Sequence, residues 1–174
     1  GGERLQFLAA ASGQYYAGKD YAKAAELGAR YFRDGGNDRA MRTVYVQALY
    51  LSNNFARAAS EILKDVQAVE AAGRSPAEDQ LQILANAYLK QRDNAGYRGA
   101  LEKLVAYYPK KEYWLTVVFD VAGKAGFSER LALDLARLKL ATGAMRTATE
   151  YVEAAQLSLQ AGYPAEAKKI IDQG

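Results

Sequence analysis

The chain has 174 residues, half of them apolar, and 23 Lys and Arg against 20 Asp and Glu give it a net charge of +3. It contains no His and no Cys, which removes disulfides, thiolate nucleophiles, the usual general base and nearly every zinc or haem arrangement. The charge is too small for the dense basic face of a nucleic-acid-binding protein, and no apolar run approaches the ~20 residues of a membrane helix. We therefore predict a soluble chain that is no enzyme, has no cofactor, metal or nucleic-acid partner, and does not insert into a membrane.

The first two predicted helices form a hairpin. Apolar residues at three-and-four spacing between residues 3 and 17 predict one helix. Asp20 follows as the N-cap of a second helix, which the pair Gly35-Gly36 ends.

Two further hairpins follow. The second begins near Asp38, turns at Asn53-Asn54 and has a long second helix that continues to about Ala72. Ser75-Pro76-Ala77-Glu78 predicts the next helix start, with Ser75 as N-cap, Pro76 in the first helical position and Glu78 closing a capping box. Leu89 lies on the predicted apolar face of that helix, and Pro109 ends its partner.

The last two hairpins are predicted from weaker signals. In the fourth, the turn is GKAGF, Ser128 is the N-cap of the second helix, and Gly143 ends it. The fifth starts at Met145, has Leu159 on its apolar face and turns at 162–164. No stretch alternates with a period of two for long enough to be a strand.

A small residue early in each second helix provides a ruler for the repeat. Ala24 and Ala58 are 34 residues apart, Ala58 and Ala100 are 42 apart, and Ala100 and Ala167 are 67 apart, about two periods. We place the extra residues of the middle step after Val66 and in a widened KQRDNAG turn. In the fourth unit the expected alanine is replaced by Arg130.

The 34-residue step and the paired helices resemble the tetratricopeptide repeat family. The segments DQLQILANAYLKQ, YYPKKEYW and AGYPAEAKKIIDQG are also similar to repeat proteins exported by proteobacteria. The resemblance implies an all-α, right-handed α-solenoid of about five helix-turn-helix hairpins. We expect one domain over 1–174, part of a longer chain, with units at about 3–36, 38–73, 76–109, 110–143 and 144–174. The compartment stays open between the bacterial periplasm, which the resemblance favours slightly, and the cytoplasm.

In such a solenoid the first helices line a concave groove that suits a peptide. Polar residues of the predicted first helices would then face the groove. The amides among them can bond a peptide backbone as both donor and acceptor, so they suit an extended chain. The predicted partner-binding residues are Thr43, Gln47, Tyr50, Gln82, Asn86, Lys90, Gln156 and Gln160, and Gln6 and Gln14 could extend the row. The alternative reading is that these amides are an ordinary solvated helix face.

Three hypotheses of function follow. The first is a non-enzymatic interaction module that binds a protein or peptide segment in its groove. The second is self-association through the open ends of the repeat array, since Ile170 and Ile171 lie on a short last helix. The third is an enzyme with carboxylate or tyrosine chemistry, for which the sequence offers no paired acid and base.

Overall fold

The computed structural model describes residues 2–122 and 131–174, and these residues form ten α-helices and no β-strand. The helices are α1 (Gly2–Ala17), α2 (Tyr21–Arg33), α3 (Arg39–Leu51), α4 (Phe55–Ala71), α5 (Glu78–Lys90), α6 (Asn94–Tyr107), α7 (Lys111–Ala122), α8 (Ala132–Ala141), α9 (Ala148–Gln160) and α10 (Pro164–Ile171). The predicted all-α chain of helical hairpins is confirmed. The chain divides into two compact units, Gly1–Ala100 and Leu101–Gly174, and the boundary between them falls inside α6.

Four hairpins turn in the same way between their two helices. The residue after each C-cap has a left-handed backbone, with φ of 62° at Lys19, 62° at Asn53, 57° at Arg92 and 87° at Gly162. Its N–H donates to the carbonyl three residues back, and the next N–H donates to the carbonyl five residues back, as from Asp20 to Tyr15. Since the hydrogen bonds are the same, these turns define an exact register between the hairpins.

The connections between hairpins use glycine for the same purpose. Gly35, Gly73 and Gly143 have φ of 95°, 69° and 65° and follow the C-caps of α2, α4 and α8. Glycine adopts this conformation without steric cost. The predicted stops at Gly35 and Gly143 are confirmed.

Helix starts agree with the sequence at two positions and differ at two. The carboxylate of Asp20 accepts from the N–H group of Lys23 (3.1 Å), as predicted, and that of Asp38 accepts from Met41 (2.8 Å) at the predicted start of the second hairpin. The start at Ser75 is wrong, because α5 begins at Glu78 behind an extended Ala77 that makes no side-chain cap. Proline fits an extended connection as well as a first turn, and the ring of Pro76 is fully buried there.

The start of the fifth hairpin lies three residues later than predicted. Thr147 and Glu150 form a capping box in front of α9, whereas Met145 is buried in the connection before it. The predicted GKAGF turn, the cap at Ser128 and the register position at Arg130 fall outside the described residues.

In the third hairpin, the turn register changes which residue is equivalent to Ala24 and Ala58. Asp93 corresponds to Asp20 and Asn54, because its carbonyl accepts from the residue four positions on, and that residue is Tyr97. Tyr97 therefore takes the place of Ala24 and Ala58, and Ala100 is buried one helical turn further on. The long step arises in α4, which has 17 residues against 13 in α2, and not in a widened turn.

Each unit has its own core. In the first, Leu8, Leu27, Tyr31 and Met41 form one cluster, and a second joins Tyr45 and Leu49 to the alanines of α2 and α4. In the second, Met145 and Ile170 pack with the alanines of α8, α9 and α10.

Two leucines predicted for the apolar faces of α5 and α9 are not buried. Leu89 and Leu159 are each more than half exposed. Both precede the C-cap by two residues, so the chain turns away beside them, while the buried stripes end at Ala87 on α5 and Ser158 on α9.

Candidate functional site

An open groove of about 690 Å³ lies in the first unit between α3, the second half of α4 and the start of α5. We call it the α3–α5 groove. Ala68 and Val69, in the last turns of the long α4, line it together with Arg74, Ser75 and Ala77 of the following connection. The extra residues of the 39-residue step from Ala58 to Tyr97 therefore build one side of the groove.

Two of the predicted partner-binding residues, Thr43 and Gln47, line this groove. The hydroxyl of Tyr16 on α1 donates to Oε1 of Gln47 at 2.8 Å. Because its oxygen accepts this bond, the amide is held in one orientation and its Nε2 remains as a donor. The hydroxyl of Thr43 donates to the carbonyl of Arg39 at 3.3 Å and keeps its acceptor capacity.

The structure places the other predicted residues elsewhere. Tyr50 packs edge to face on Phe55, with ring centroids 5.2 Å apart, and contributes to the core of the first unit. The side chains of Gln82, Asn86 and Lys90 are exposed on α5 without lining the α3–α5 groove, and Gln6 and Gln14 are exposed on α1. On α9, in the second unit, Gln156 and Gln160 are exposed.

Three of the predicted amides occupy the same position in their helices, as the turn register shows. Gln47, Asn86 and Gln156 each precede the C-cap of their helix by five residues, so they share one position. Two positions before the C-cap stand Leu89 and Leu159, both exposed beside these amides. The apolar periodicity of the sequence assigns both leucines to the core, so it does not predict that they lie on the surface.

The groove also contains residues that the sequence analysis did not select. Val46 on α3 and Ile83 on α5 are half-buried and apolar, and Asn37 and Gln80 add two further amides to that of Gln47. The sequence does predict that α4 is long. The length of α4 does not show, however, which side chains of α3 and α5 remain exposed beside it.

One wall of the groove is braced by Arg42. Its Nε lies 3.0 Å from Asp65 Oδ2, its Nη1 lies 2.7 Å from Glu61 Oε2, and its Nη2 donates to the Glu61 carbonyl at 3.0 Å. The guanidinium also lies over the rings of Phe32 and Tyr45, 5.6 and 5.9 Å from their centroids. Arg42 thus joins α3 to α4 through all three nitrogens of its guanidinium group.

This network shifts the ionisation of its members. Burial alone would raise the pKa of Glu61, but the hydrogen bonds from Arg42 and Lys64 outweigh it and hold that pKa below its usual value. Burial would lower the pKa of Arg42, yet the bonds to Asp65 and Glu61 raise it. Both groups are therefore charged at neutral pH and serve as structural partners.

The remaining charges of the groove balance. Its lining contains three arginines, at 39, 42 and 74, and three aspartates, at 38, 65 and 79. Asp38 caps α3 and Asp65 pairs with Arg42, so strong selection by net charge is not built into this surface. Amide and apolar groups dominate what it offers to a ligand.

The described residues contain neither a cluster of metal ligands nor a membrane-spanning helix. Within 2–122 and 131–174, no group of three or more carboxylates could jointly hold a metal ion. None of the helices in the described parts of the chain is both long and apolar enough to cross a bilayer.

The repeated turns and stacked hairpins define a helical-repeat fold of the tetratricopeptide type. The crystal structure of MamA, a protein that contains such repeats, is similar to this chain with a TM-score of 0.54 and 12% sequence identity. The similarity covers 99% of this chain and 90% of that one, so it supports the fold over the described chain as a whole. No model of a known protein family matches the sequence, and no curated protein matches it.

Proposed function

We propose that this chain is a non-enzymatic interaction scaffold of the tetratricopeptide type, which binds an extended segment of a partner protein in the α3–α5 groove. The observation that carries the proposal is the groove itself, where Thr43 and Gln47 stand beside apolar side chains. The fold supports the general class, because helical-repeat proteins of this kind typically serve as scaffolds.

The arrangement suits a peptide backbone. Gln47 and Gln80 can each donate to a peptide carbonyl, and the oriented amide of Gln47 loses little freedom when it binds. Val46 and Ile83 supply the apolar contact for a side chain of the segment. The balanced charges mean that the segment is recognised by its backbone and shape more than by its net charge.

The exposed amides of α5 extend the same chemistry in the first unit. We propose that Gln82, Asn86 and Lys90 contact the flanking part of the segment, and that Tyr50 supports α3 from within the core. In the second unit, Gln156 and Gln160 offer amides on α9 of the kind that the first unit has on α3 and α5.

A photo-crosslinking experiment tests this assignment. p-Benzoylphenylalanine replaces Ile83 in the groove or, as a matched control, Ser60 on the exposed face of α4, and the protein crosslinked in cells is identified. We expect a specific product from position 83 and none from position 60. The captured segment is then synthesised and its affinity is measured by fluorescence anisotropy.

The double variant Val46→Arg, Gln47→Ala should bind that peptide more than about tenfold more weakly, since it blocks the apolar contact and removes the oriented amide. Ser60→Ala should leave the affinity unchanged. Unchanged binding by a double variant with the native circular dichroism spectrum would show that the groove is not the site.

A further inference from the structure

Two aromatic side chains are exposed on one face of α1. Phe7 is 70% exposed and Tyr15 41% exposed, and Ala11, which is partly buried against the core cluster that contains Leu8, lies between them at a spacing of four residues. Isolated exposed apolar residues are ordinary, but an aromatic pair aligned on one helix face is the pattern of an interaction surface.

The turn register shows what this face corresponds to. The turns at Lys19 and Asn53 are 34 residues apart, so Phe7, Ala11 and Tyr15 take the positions of Met41, Tyr45 and Leu49 on α3. Those three residues are buried, and they pack against α2 of the preceding hairpin. The exposed face of α1 is thus the face with which α3 receives the second helix of a neighbouring hairpin.

A matching surface exists on α10 in the second unit. The turn register equates Gly162 with Lys19, so Ile171 takes the position of Gly28 and Lys168 that of Ala25. Ile171 is 48% exposed, and Lys168 is exposed beside it. These are the positions that, on α2, receive the side chains of α3.

In the register of α10 on α1, the large residue lies on the second helix and the small one on the first helix, which reverses the arrangement of the equivalent pair inside the chain. Inside the chain Tyr45 lies directly on Gly28, since a Cβ at Gly28 would be 2.8 Å from Tyr45 Cδ2. In the register of α10 on α1, the large residue is Ile171 and the small one is Ala11. Lys168 would meet the ring of Tyr15, which can cover its aliphatic stem and attract its ammonium group.

We infer that α10 of one copy packs on α1 of a second copy, so that the 174-residue chain self-associates head to tail. The contact repeats the interface that joins the first two hairpins within the chain. Because the two surfaces differ, the contact is heterologous, and copies add one after another into open chains unless the rotation closes a ring.

Analytical ultracentrifugation of the 174-residue protein over a wide range of concentrations tests this inference. We expect the mean mass to grow with concentration beyond that of a dimer. Phe7→Gln and Ile171→Gln should each weaken association by more than about tenfold, because each removes a central apolar contact. Leu159→Gln, which removes an equally exposed leucine elsewhere, should leave association unchanged.

Mixing the two variants identifies the geometry. An equimolar mixture of Phe7→Gln and Ile171→Gln retains one intact α10 surface and one intact α1 surface, so it should form dimers and nothing larger. A symmetric contact between two α1 helices would instead survive Ile171→Gln, and that result would overturn the inference. A protein that stays monomeric at all concentrations would also overturn it.

The size exchange gives an independent test. Ala11→Tyr should abolish association by clashing with Ile171, and the double variant Ala11→Tyr, Ile171→Gly should restore it by recreating the Tyr45–Gly28 pair. Failure of the second change to restore association in a folded double variant would show that α10 does not lie on α1 in this register.

Discussion

At the scale of single residues, Arg42 connects two helices. From α3 it bonds Asp65 and Glu61, both on α4, and its side chain is about three-quarters buried. Arg42→Gln takes the guanidinium away from Asp65 and leaves Glu61 with its exposed partners Lys64 and Arg57, and we expect the free energy of unfolding to fall by about 2 to 3 kcal/mol. Urea denaturation followed by circular dichroism measures this change.

Arg57→Gln is the matched control for Arg42. Arg57 also faces Glu61, but at 4.0 Å and from an exposed position. Its replacement should change the free energy of unfolding by less than about 0.5 kcal/mol. Equal losses from the two variants would contradict a bracing role for Arg42.

Two buried serines provide a second comparison. Ser12 donates to the carbonyl of Ala24 at 2.9 Å, whereas the hydroxyl of Ser158 has no partner among the described residues. Ser12→Ala should destabilise by about 1 kcal/mol, while Ser158→Ala should be neutral or stabilising, since it removes an unsatisfied polar group. Thermal unfolding distinguishes them, and an equal loss in both variants would contradict this account.

Residue identity predicted some of these interactions and not others. Aspartate before an apolar run indicated the cap at Asp20, because that bond forms within four residues, whereas near Asp38 the sequence indicated only the start of a hairpin. The bond from Tyr16 to Gln47 joins residues 31 apart, so its existence depends on how α1 and α3 pack. The placement of Tyr50 in the core has the same origin: side-chain type does not show which neighbour covers a ring.

At the scale of elements, the turns within hairpins contain a strain that glycine would relieve. Lys19 and Arg92 adopt left-handed conformations that disfavour side chains with a Cβ, at a position where the last hairpin has Gly162. Lys19→Gly and Arg92→Gly should each stabilise by about 0.5 to 1 kcal/mol, the strain relieved less the added entropy of the unfolded chain. Thermal or urea denaturation of each variant measures the gain.

The neighbouring C-cap Gln91 supplies the control for this prediction. It has a right-handed backbone with φ of −82°, so glycine relieves nothing there and Gln91→Gly should destabilise. Stabilisation by glycine at position 91 would mean that the effect is unrelated to the left-handed turn.

The sequence predicted the lengths of the helices better than it predicted how neighbouring helices pack around them. The long α4 was visible in the apolar stripe that continues to about Ala72. Its effect, a groove floored by Ile62 and lined by Val46 and Ile83, depends on where α3 and α5 lie around the longer helix. Pro76 shows the opposite failure, because a strong local signal was overridden when the ring became buried in an extended connection.

At the scale of the whole molecule, the hairpin design predicts that stability is local. In repeat folds each hairpin is stabilised mainly by its nearest neighbours, and each unit of this chain has its own buried clusters. Ile62 and Ile170 are both almost completely buried, one in each unit. Replacing either by alanine should cost about 2 to 5 kcal/mol through lost apolar contact and the cavity that remains.

Native-state hydrogen exchange shows where each loss is felt. Ile62→Ala should reduce the protection of amides in α3, α4 and α5 and leave α9 and α10 close to their native values. Ile170→Ala should do the reverse, so each variant is the control for the other. Exchange reports local opening against global unfolding at individual amides. If both variants lowered protection uniformly from α1 to α10, the chain would unfold as one cooperative body, and its hairpins would not be energetically independent.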